Sequence, residues 1–304
     1  MPDALPGRAG RLAGLVPLAA ELGDLKRVRD ASSPDSIASR LFRRAWGALA
    51  SGQDCGDVAL GTTADALAAA RLGGIHRAVL EGAGLSADEA GAVLRRSFDE
   101  VAGPIEPGFA EALRAHLGRE ARGGAAPAFA EALIRQPRAG ATCPGKPRIL
   151  LEPPEGHGDH CLVVAVLGCV LAPRYDADPA PAFLAGMAHH LHNAFLPDSG
   201  FAGEMLLGSH LEPVIARLFA RELATLPAGL ADDAKSALAL IRDAQTPVGR
   251  AFHAADVIDR VLQMRHYEQV AQFTTSQASD EMQLVHAGPT QAFHMGVLRD
   301  AGLP

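Results

Sequence analysis

The stretch DHCLVVAVLGCVLA, from Asp159 to Ala172, decides the fold class of this chain. It is 14 residues long and carries no Asp, Glu, Lys or Arg after its first position. Apolar runs of this length are typical of helices, because strands are commonly about 4–8 residues long. Pro173 follows, and proline cannot continue a helix. The stretch therefore predicts a buried helix that ends before Pro173.

The rest of the chain also predicts helices. Apolar residues recur at near-helical spacing from Ile37 to Ala50, and Ser86-Ala-Asp-Glu89 is a capping box that opens a further helix. Alanine and leucine dominate the composition, whereas aromatic residues make up only 5%. The sequence predicts an all-α protein, with a helical bundle that follows a smaller helical N-terminal module.

The second half divides into several predicted helices. They span Pro181–His192, Phe201–Leu226 as one or two helices with an irregularity at Pro213, Ala231–Asp243 and Val248–Phe273. Glycine and proline concentrate between Pro137 and Pro147, which indicates a linker. We therefore predict a module of unknown role over 1–145 and a metal-binding bundle with a C-terminal tail over 146–304.

Charge and cysteine content argue against several classes of protein. The net charge of −7 disfavours a nucleic-acid partner, which needs a cationic surface. The four cysteines have no CxxC spacing and predict neither a disulfide framework nor a cysteine zinc site. No apolar run reaches the roughly 18 residues of a membrane span. The N-terminus mixes charges with glycine and proline, so we predict no signal peptide and a cytoplasmic location.

Histidines concentrate in the second half of the chain. Eight of the 12 lie between residues 157 and 266. Imidazole is the commonest protein metal ligand, and helical bundles build metal sites from histidines and carboxylates on facing helices. The pattern predicts a metal site inside the bundle.

Three segments of this half carry the candidate ligands at wide spacing. They read DHCLVVA (159–165), LAGMAHHL (184–191) and HAADVID (253–259). His189 follows His160 by 29 residues, and Asp256 follows His189 by 67. This order resembles the HD superfamily of metal-dependent phosphohydrolases, an all-helical fold with a histidine, a His-Asp pair and a late aspartate. The resemblance covers about residues 150–275.

The chain departs from that family at one position. His190 stands where the family has the aspartate of its His-Asp pair. An imidazole removes one negative charge, and nitrogen ligands favour later transition metals over magnesium. A second register, with His192-Asn193 as the altered pair, is the alternative.

The resemblance implies a set of site residues. One or two divalent transition metal ions (Fe, Mn, Co or Zn) are expected on His160, His189, His190, His192, His210 and Asp256. Glu204 and Asp198, on the turn after the pair, are candidates for orienting the attacking water. Arg250 and Arg260 are candidates for binding an anionic substrate, because guanidinium pairs with phosphate in a two-pronged geometry.

Three functions follow from these observations. The first is a metal-dependent hydrolase of the HD type that acts on a small phosphorylated molecule such as a nucleotide. The second is a di-iron oxygenase, which resembles the oxidative branch of the same superfamily. The third is a non-catalytic HD-type fold that binds a ligand or a partner protein. A homo-oligomeric state is compatible with all three.

Overall fold

A computed structural model describes residues 12–30, 34–119, 124–270 and 291–300 of the chain. These residues form helices joined by turns, and within them β structure is confined to three isolated bridges. The predicted all-α class is confirmed.

Seven helices of the described residues precede residue 145. They are α1 (Val16–Asp24), α2 (Ile37–Ala50), α3 (Cys55–Leu72), α4 (Arg77–Gly82), α5 (Ala87–Val101), α6 (Pro107–His116) and α7 (Ala128–Arg135). The predicted bounds of α2 are confirmed, and Ser36 caps its first turn by accepting from the Ser39 amide. The predicted capping box is confirmed as well, with Ser86 and Glu89 at the start of α5. Local signals thus suffice to define these two helix starts.

Seven further helices follow. They are α8 (His157–Leu171), α9 (Pro179–Ala188), α10 (Gly200–Leu207), α11 (Leu211–Leu223), α12 (Ala228–Leu240), α13 (Pro247–Gln269) and α14 (Gln291–Asp300). Short 3₁₀ turns cover Ala172–Tyr175, Leu191–Ala194 and Gly208–His210.

One predicted helix of this half is shorter than expected, and the region 201–226 forms two helices, which was one of the two alternatives. The helix predicted to end at His192 stops at Ala188, because the backbone of His190 leaves the helical region and the chain continues as a 3₁₀ turn. The region 201–226 breaks at Gly208, whose φ of +53° ends α10, and Pro213 lies in the first turn of α11. Helix α13 extends to Gln269, and the predicted end at Phe273 lies outside the described residues.

Helix α8 is the most buried helix of the described chain. Each of its residues is buried, as its uninterrupted apolar sequence requires. At Gly158 an added Cβ would lie 2.8 Å from Ile134 of α7 and 3.2 Å from Phe42 of α2. At Gly186 of α9 it would lie 2.4 Å from the Ala165 Cα. These close approaches position the first turn of α8 and the end of α9.

Helix α8 is also the one helix among the described residues that is long and apolar enough to cross a membrane. The segment His157–Tyr175 meets this criterion by length and composition, and 83% of its most apolar window is buried inside the fold. The predicted cytoplasmic location stays a prediction.

Helices from both sides of residue 145 share one core. Trp46 of α2 packs edge-on against Phe129 of α7, with ring centroids 4.9 Å apart, and belongs to the same buried cluster as Val164 and Phe183. Residues on both sides of the predicted boundary at 145 thus contribute to one buried cluster, and the boundary itself stays a prediction. The described residues up to Leu262 form one compact unit, and those from Gln263 onward form another.

Candidate metal centre

Two groups of metal-ligand side chains meet at His160. One comprises His160, His189 and His190, and the other comprises Glu155, His160 and Asp259. In each group the ligand atoms lie within 4.8 Å of one another. His160 lies in the first turn of α8, the histidine pair follows the end of α9, and Asp259 lies on α13. The tertiary fold therefore joins elements about a hundred residues apart in sequence.

His160 has one ring nitrogen fixed by a carboxylate. Its Nδ1 lies 2.8 Å from Asp259 Oδ2, and both side chains are buried. Burial acts to raise the pKa of Asp259, but Lys26 and His160 hold that pKa well below its usual range. Because an ionised carboxylate only accepts hydrogen bonds, Nδ1 is the donor. This contact orients the ring so that Nε2 faces the histidine pair.

Two acceptor atoms face His160 Nε2. His189 Nε2 lies 3.2 Å away and Asp256 Oδ1 lies 3.4 Å away. His189 donates its Nδ1 hydrogen to the Gly186 carbonyl at 2.7 Å, which leaves Nε2 with a lone pair. Burial and the neighbouring His160 lower the pKa of His189 to about 3, so its imidazole is neutral at pH 7.

This arrangement fits a cation. With Nδ1 of both histidines donating, His160 Nε2, His189 Nε2 and Asp256 Oδ1 are all acceptors, unless His160 carries a second proton. These three atoms need either that proton or a divalent ion between them. A metal-binding histidine commonly donates its other ring nitrogen to a carboxylate or a carbonyl, as both of these do. The described residues could therefore hold a metal ion here.

His190 adds a third imidazole to the cluster. Its Nδ1 donates to Asn193 Oδ1 at 2.8 Å, and its ring centroid lies 4.2 Å from that of His189 and 5.3 Å from that of His160. Burial lowers the pKa of His190 well below its ordinary value, and the neighbouring histidines lower it further. Asn193 belongs to the alternative pair His192-Asn193 of the sequence analysis. In the structure its side-chain oxygen accepts this hydrogen bond and so orients the His190 ring.

His157 and His192 extend the cluster on either side of His190. Their ring centroids lie 4.9 Å and 5.8 Å from that of His190. His157 donates from Nδ1 to the Gln136 carbonyl, whereas its buried Nε2 makes no hydrogen bond to any described residue. Burial is the main reason that the pKa of each falls to about 4.

A buried ion network lies behind His160. The Lys26 ammonium is 2.6 Å from Asp259 Oδ1 and 2.6 Å from Glu155 Oε1, and all three side chains are at most 3% exposed. Arg138 Nη1 lies 3.8 Å from Glu155 Oε2. Burial acts to lower the pKa of Lys26, but Asp259 and Glu155 raise it overall. Lys26 therefore balances the two carboxylates and holds the one that orients His160.

The first turn of α8 is also anchored to α2. Asp159 Oδ1 accepts hydrogen bonds from the hydroxyls of Ser36 at 2.5 Å and Ser39 at 2.7 Å. Burial raises the pKa of Asp159, which these hydrogen bonds oppose. Because Asp159 directly precedes His160, the N-terminal half of the chain takes part in positioning the cluster.

The structure brings together some of the predicted site residues and separates others. His160, His189 and His190 form one group, Asp256 contacts His160, and His192 stacks beside His190. Arg260 is exposed but lies next to the cluster, with Nη1 3.4 Å from Asp256 Oδ2.

Four predicted residues play other roles in the described structure. Glu204 and His210 are exposed and belong to neither ligand group. Arg250 is exposed and donates to the carbonyl of Gln245 on the preceding turn. Asp198 accepts the amides of Ala139 and Gly200, although its Oδ2 also lies 3.6 Å from His157 Nε2. A turn that follows a histidine pair in sequence thus need not face it in space.

Sequence reasoning missed Lys26, Glu155, Asp259 and Arg138. The position of Asp259, three residues after Asp256 on one helix, is a weak signal of a shared face. Lys26 is one of only three lysines, but nothing near it in sequence indicates a carboxylate on α13. Only the packing of distant segments reveals this network.

No family model matches this chain, and no curated protein or solved structure matches it. Fold and site together define a class only: an all-α protein in which buried histidine and carboxylate side chains could hold a metal ion.

Proposed function

We propose that this protein is a metal-dependent hydrolase of the HD type that acts on a small phosphorylated molecule. One observation carries the proposal: His160 Nε2 lies within 3.2 Å of His189 Nε2 and within 3.4 Å of Asp256 Oδ1. These are the three positions at which the sequence resembles the HD superfamily. The resemblance and the contact geometry are independent observations that point to the same residues.

His160, His189 and Asp256 would hold the metal ion. A divalent metal at such a site polarises a phosphoryl oxygen and lowers the pKa of a water molecule toward neutrality. The chain's own contribution is orientation, since Asp259 and the Gly186 carbonyl fix which ring nitrogens face the site. Arg260, beside Asp256, supplies a guanidinium that could pair with a substrate phosphate.

The extra imidazoles influence the choice of metal. His190, where the family has aspartate, adds a nitrogen donor and no charge. Nitrogen-rich sites favour iron, cobalt or zinc over magnesium, and manganese is the weakest binder of this group. The iron-dependent oxygenase is therefore the second candidate, because His157, His190 and His192 surround the ligands with additional nitrogen.

The first experiment is metal analysis of the purified full chain, with variants His189→Ala and Asp256→Ala. We expect near-stoichiometric metal in the parent and a strong loss in both variants with helicity retained. His253→Ala is the matched control, because His253 lies on α13 with Asp256 but donates to the Ile241 carbonyl. Full metal retention by both ligand variants would refute the site.

Activity measurements then separate the candidate functions. The metal-loaded protein is assayed with nucleoside monophosphates and a chromogenic phosphate ester. Phosphate release that His189→Ala abolishes supports the hydrolase. Stoichiometric iron with a visible absorption band and no phosphate release supports the oxygenase. A protein that binds none of the four metals supports the non-catalytic fold.

Substitution His190→Asp should shift metal preference toward manganese and magnesium if His190 contributes a ligand.

A further inference from the structure

A cavity in the N-terminal half is lined by three arginines. It lies between α2, α3 and the start of α4, and its volume is about 50 Å³. Arg40, Arg44 and Arg77 line it together with Asp65 and His76. None of these residues belongs to the candidate metal centre.

The guanidinium groups in this cavity have more donors than acceptors. Arg40 pairs through Nε with Asp30. Arg44 pairs through Nη2 with Asp65, while its Nε is buried without a hydrogen bond in the described structure. Arg77 donates from Nε and Nη1 to the carbonyl oxygens of Gly118 and Ala87, and its Nη1 also lies 3.5 Å from Glu81 Oε1. A buried guanidinium nitrogen without an acceptor is unusual, and a bound anion would supply the acceptor.

The lining of the cavity carries excess positive charge. It presents three guanidiniums and one carboxylate, Asp65, whose Oδ1 already accepts the Gly118 amide. Asp30 and Glu81 pair with Arg40 and Arg77 from outside this lining. Burial lowers the pKa of Arg40, and repulsion from Arg44 adds to this in spite of Asp30. Burial and the same two arginines lower the pKa of His76. An anion would relieve this repulsion and accept the unused hydrogens.

The size of the cavity restricts the anion. A single water occupies roughly 10–15 Å³ on this measure, so about 50 Å³ accommodates roughly four oxygen-sized atoms. That is the size of one tetrahedral oxyanion. Guanidinium recognises phosphate through paired, charge-assisted hydrogen bonds.

We propose that the cavity formed by Arg40, Arg44 and Arg77 is a binding site for a phosphate group, separate from the candidate metal centre. The phosphate is either the free ion or the phosphoryl group of a larger molecule that extends into solvent. The proposal does not depend on the proposed hydrolase, because it uses no residue of that site.

Titration calorimetry of the full chain with inorganic phosphate tests the proposal. Sodium chloride keeps the ionic strength constant, because salt screens exposed charges. The His189→Ala variant is titrated in the presence of a chelator, so that phosphate bound at the metal centre is not counted. We expect one saturable site per chain in both proteins.

Two substitutions in the cavity should act in opposite directions. Arg44→Gln removes a charged donor and should weaken phosphate binding by roughly ten- to a hundredfold. Asp65→Asn keeps the shape and an acceptor for the Gly118 amide but removes a competing charge, so it should tighten binding. The matched control is Arg43→Gln, on the same helix, because Arg43 pairs with Asp35 and Glu131 and does not line the cavity.

The outcomes are distinct. Absence of saturable binding, or equal affinity in the parent and both cavity variants, would overturn the proposal. Loss of binding in His189→Ala would assign the phosphate to the metal centre instead. If Arg44→Gln does not fold, tighter binding by Asp65→Asn still supports the cavity. Competition by a nucleoside monophosphate, but not by the nucleoside, identifies the phosphoryl group of a larger ligand, and no competition identifies free phosphate.

Discussion

Replacement of Lys26 by methionine keeps an unbranched side chain, one heavy atom shorter, and removes the charge that links the N-terminal half to the metal centre. The Lys26 ammonium lies 2.6 Å from both Glu155 and Asp259, and the Lys26 side chain is 2% exposed. After the substitution, the two buried carboxylates have less positive charge near them. Asp259 would keep His160 at 2.8 Å, and Glu155 would keep Arg138 at 3.8 Å.

The remaining partners, His160 and Arg138, determine how much unfolding free energy the substitution removes. Removal of one partner from a buried ion pair destabilises a protein by about 3–5 kcal/mol. Because His160 and Arg138 remain, we expect the low end of that range, about 3 kcal/mol. With a urea m-value of about 3 kcal/mol per molar, the unfolding midpoint would fall by about 1 M.

Trp46 provides the assay. It is the only tryptophan and is fully buried in the core, so its fluorescence reports unfolding of the unit that contains Lys26. Urea titrations are run with a chelator, because metal binding would add stability by mass action. Lys235→Met is the matched control: Lys235 is 59% exposed, and its one ion-pair partner in the described part of the chain is exposed Asp232. We expect it to change stability by less than about 0.5 kcal/mol.

Glu155→Gln tests whether the loss has the proposed electrostatic cause. In the Lys26→Met background it removes one of the two carboxylate charges that have lost the Lys26 ammonium, and it should recover part of the loss, with a coupling energy of about 1–3 kcal/mol. A Lys26→Met midpoint within error of the Lys235→Met midpoint would refute the reasoning. So would additive effects of the two buried substitutions.

Three further predictions concern the same region. Asp259→Asn removes the carboxylate that orients His160 and should weaken metal affinity by about 10–100-fold, as measured by competition with a chelator. The stability of the metal-free protein should fall as the pH drops below about 6.5, by about 1.4 kcal/mol per pH unit for each buried histidine that stays neutral. His189 shows why stability falls and does not rise. Its pKa in the folded protein is lowered to about 3, so between about pH 6.5 and pH 3 the unfolded chain binds a proton at this histidine that the folded chain does not. A lower pH therefore favours the unfolded state. Ser39→Ala removes a hydroxyl donor from buried Asp159 and should destabilise the fold by about 1–3 kcal/mol.

Each prediction has a contradicting result, and the two substitutions have matched control variants. Asp232→Asn, at an exposed carboxylate, should leave metal affinity unchanged, and equal affinity in Asp259→Asn would exclude an orienting role. Flat stability between pH 6.5 and pH 4 would mean that the histidines are solvated. Ser236→Ala, at an exposed hydroxyl that donates to the Asp232 carbonyl, controls for the loss of a hydroxyl; an effect equal to that of Ser39→Ala would contradict the prediction.

Local features of the sequence were sufficient for the fold class and for several helices. The bounds of α2 and the capping box of α5 depend on side chains within one or two turns, and these signals are readable from the chain itself. Helix ends that depend on backbone conformation were less accessible. The stop at Ala188 and the break at Gly208 occur where no proline follows directly.

The wide spacing of His160, His189 and Asp256 was enough to select them as candidates, and the structure brings them into contact. Spacing alone selected Glu204 and His210 too, and these are exposed. A sequence pattern assigns residue types to elements, but it does not say which side of a turn faces the cluster.

The sequence by itself determined that the chain is helical, that α8 is buried and which histidines are candidate ligands, because these properties depend on composition and short-range periodicity. Only the tertiary structure decided that Lys26 and Asp259 support His160, and that arginines of α2 and α4 share a cavity. His160 and Asp259 are 99 residues apart, and Ser36 and Asp159 are 123 apart. Contacts over such distances arise from helix packing, for which no local sequence signal exists.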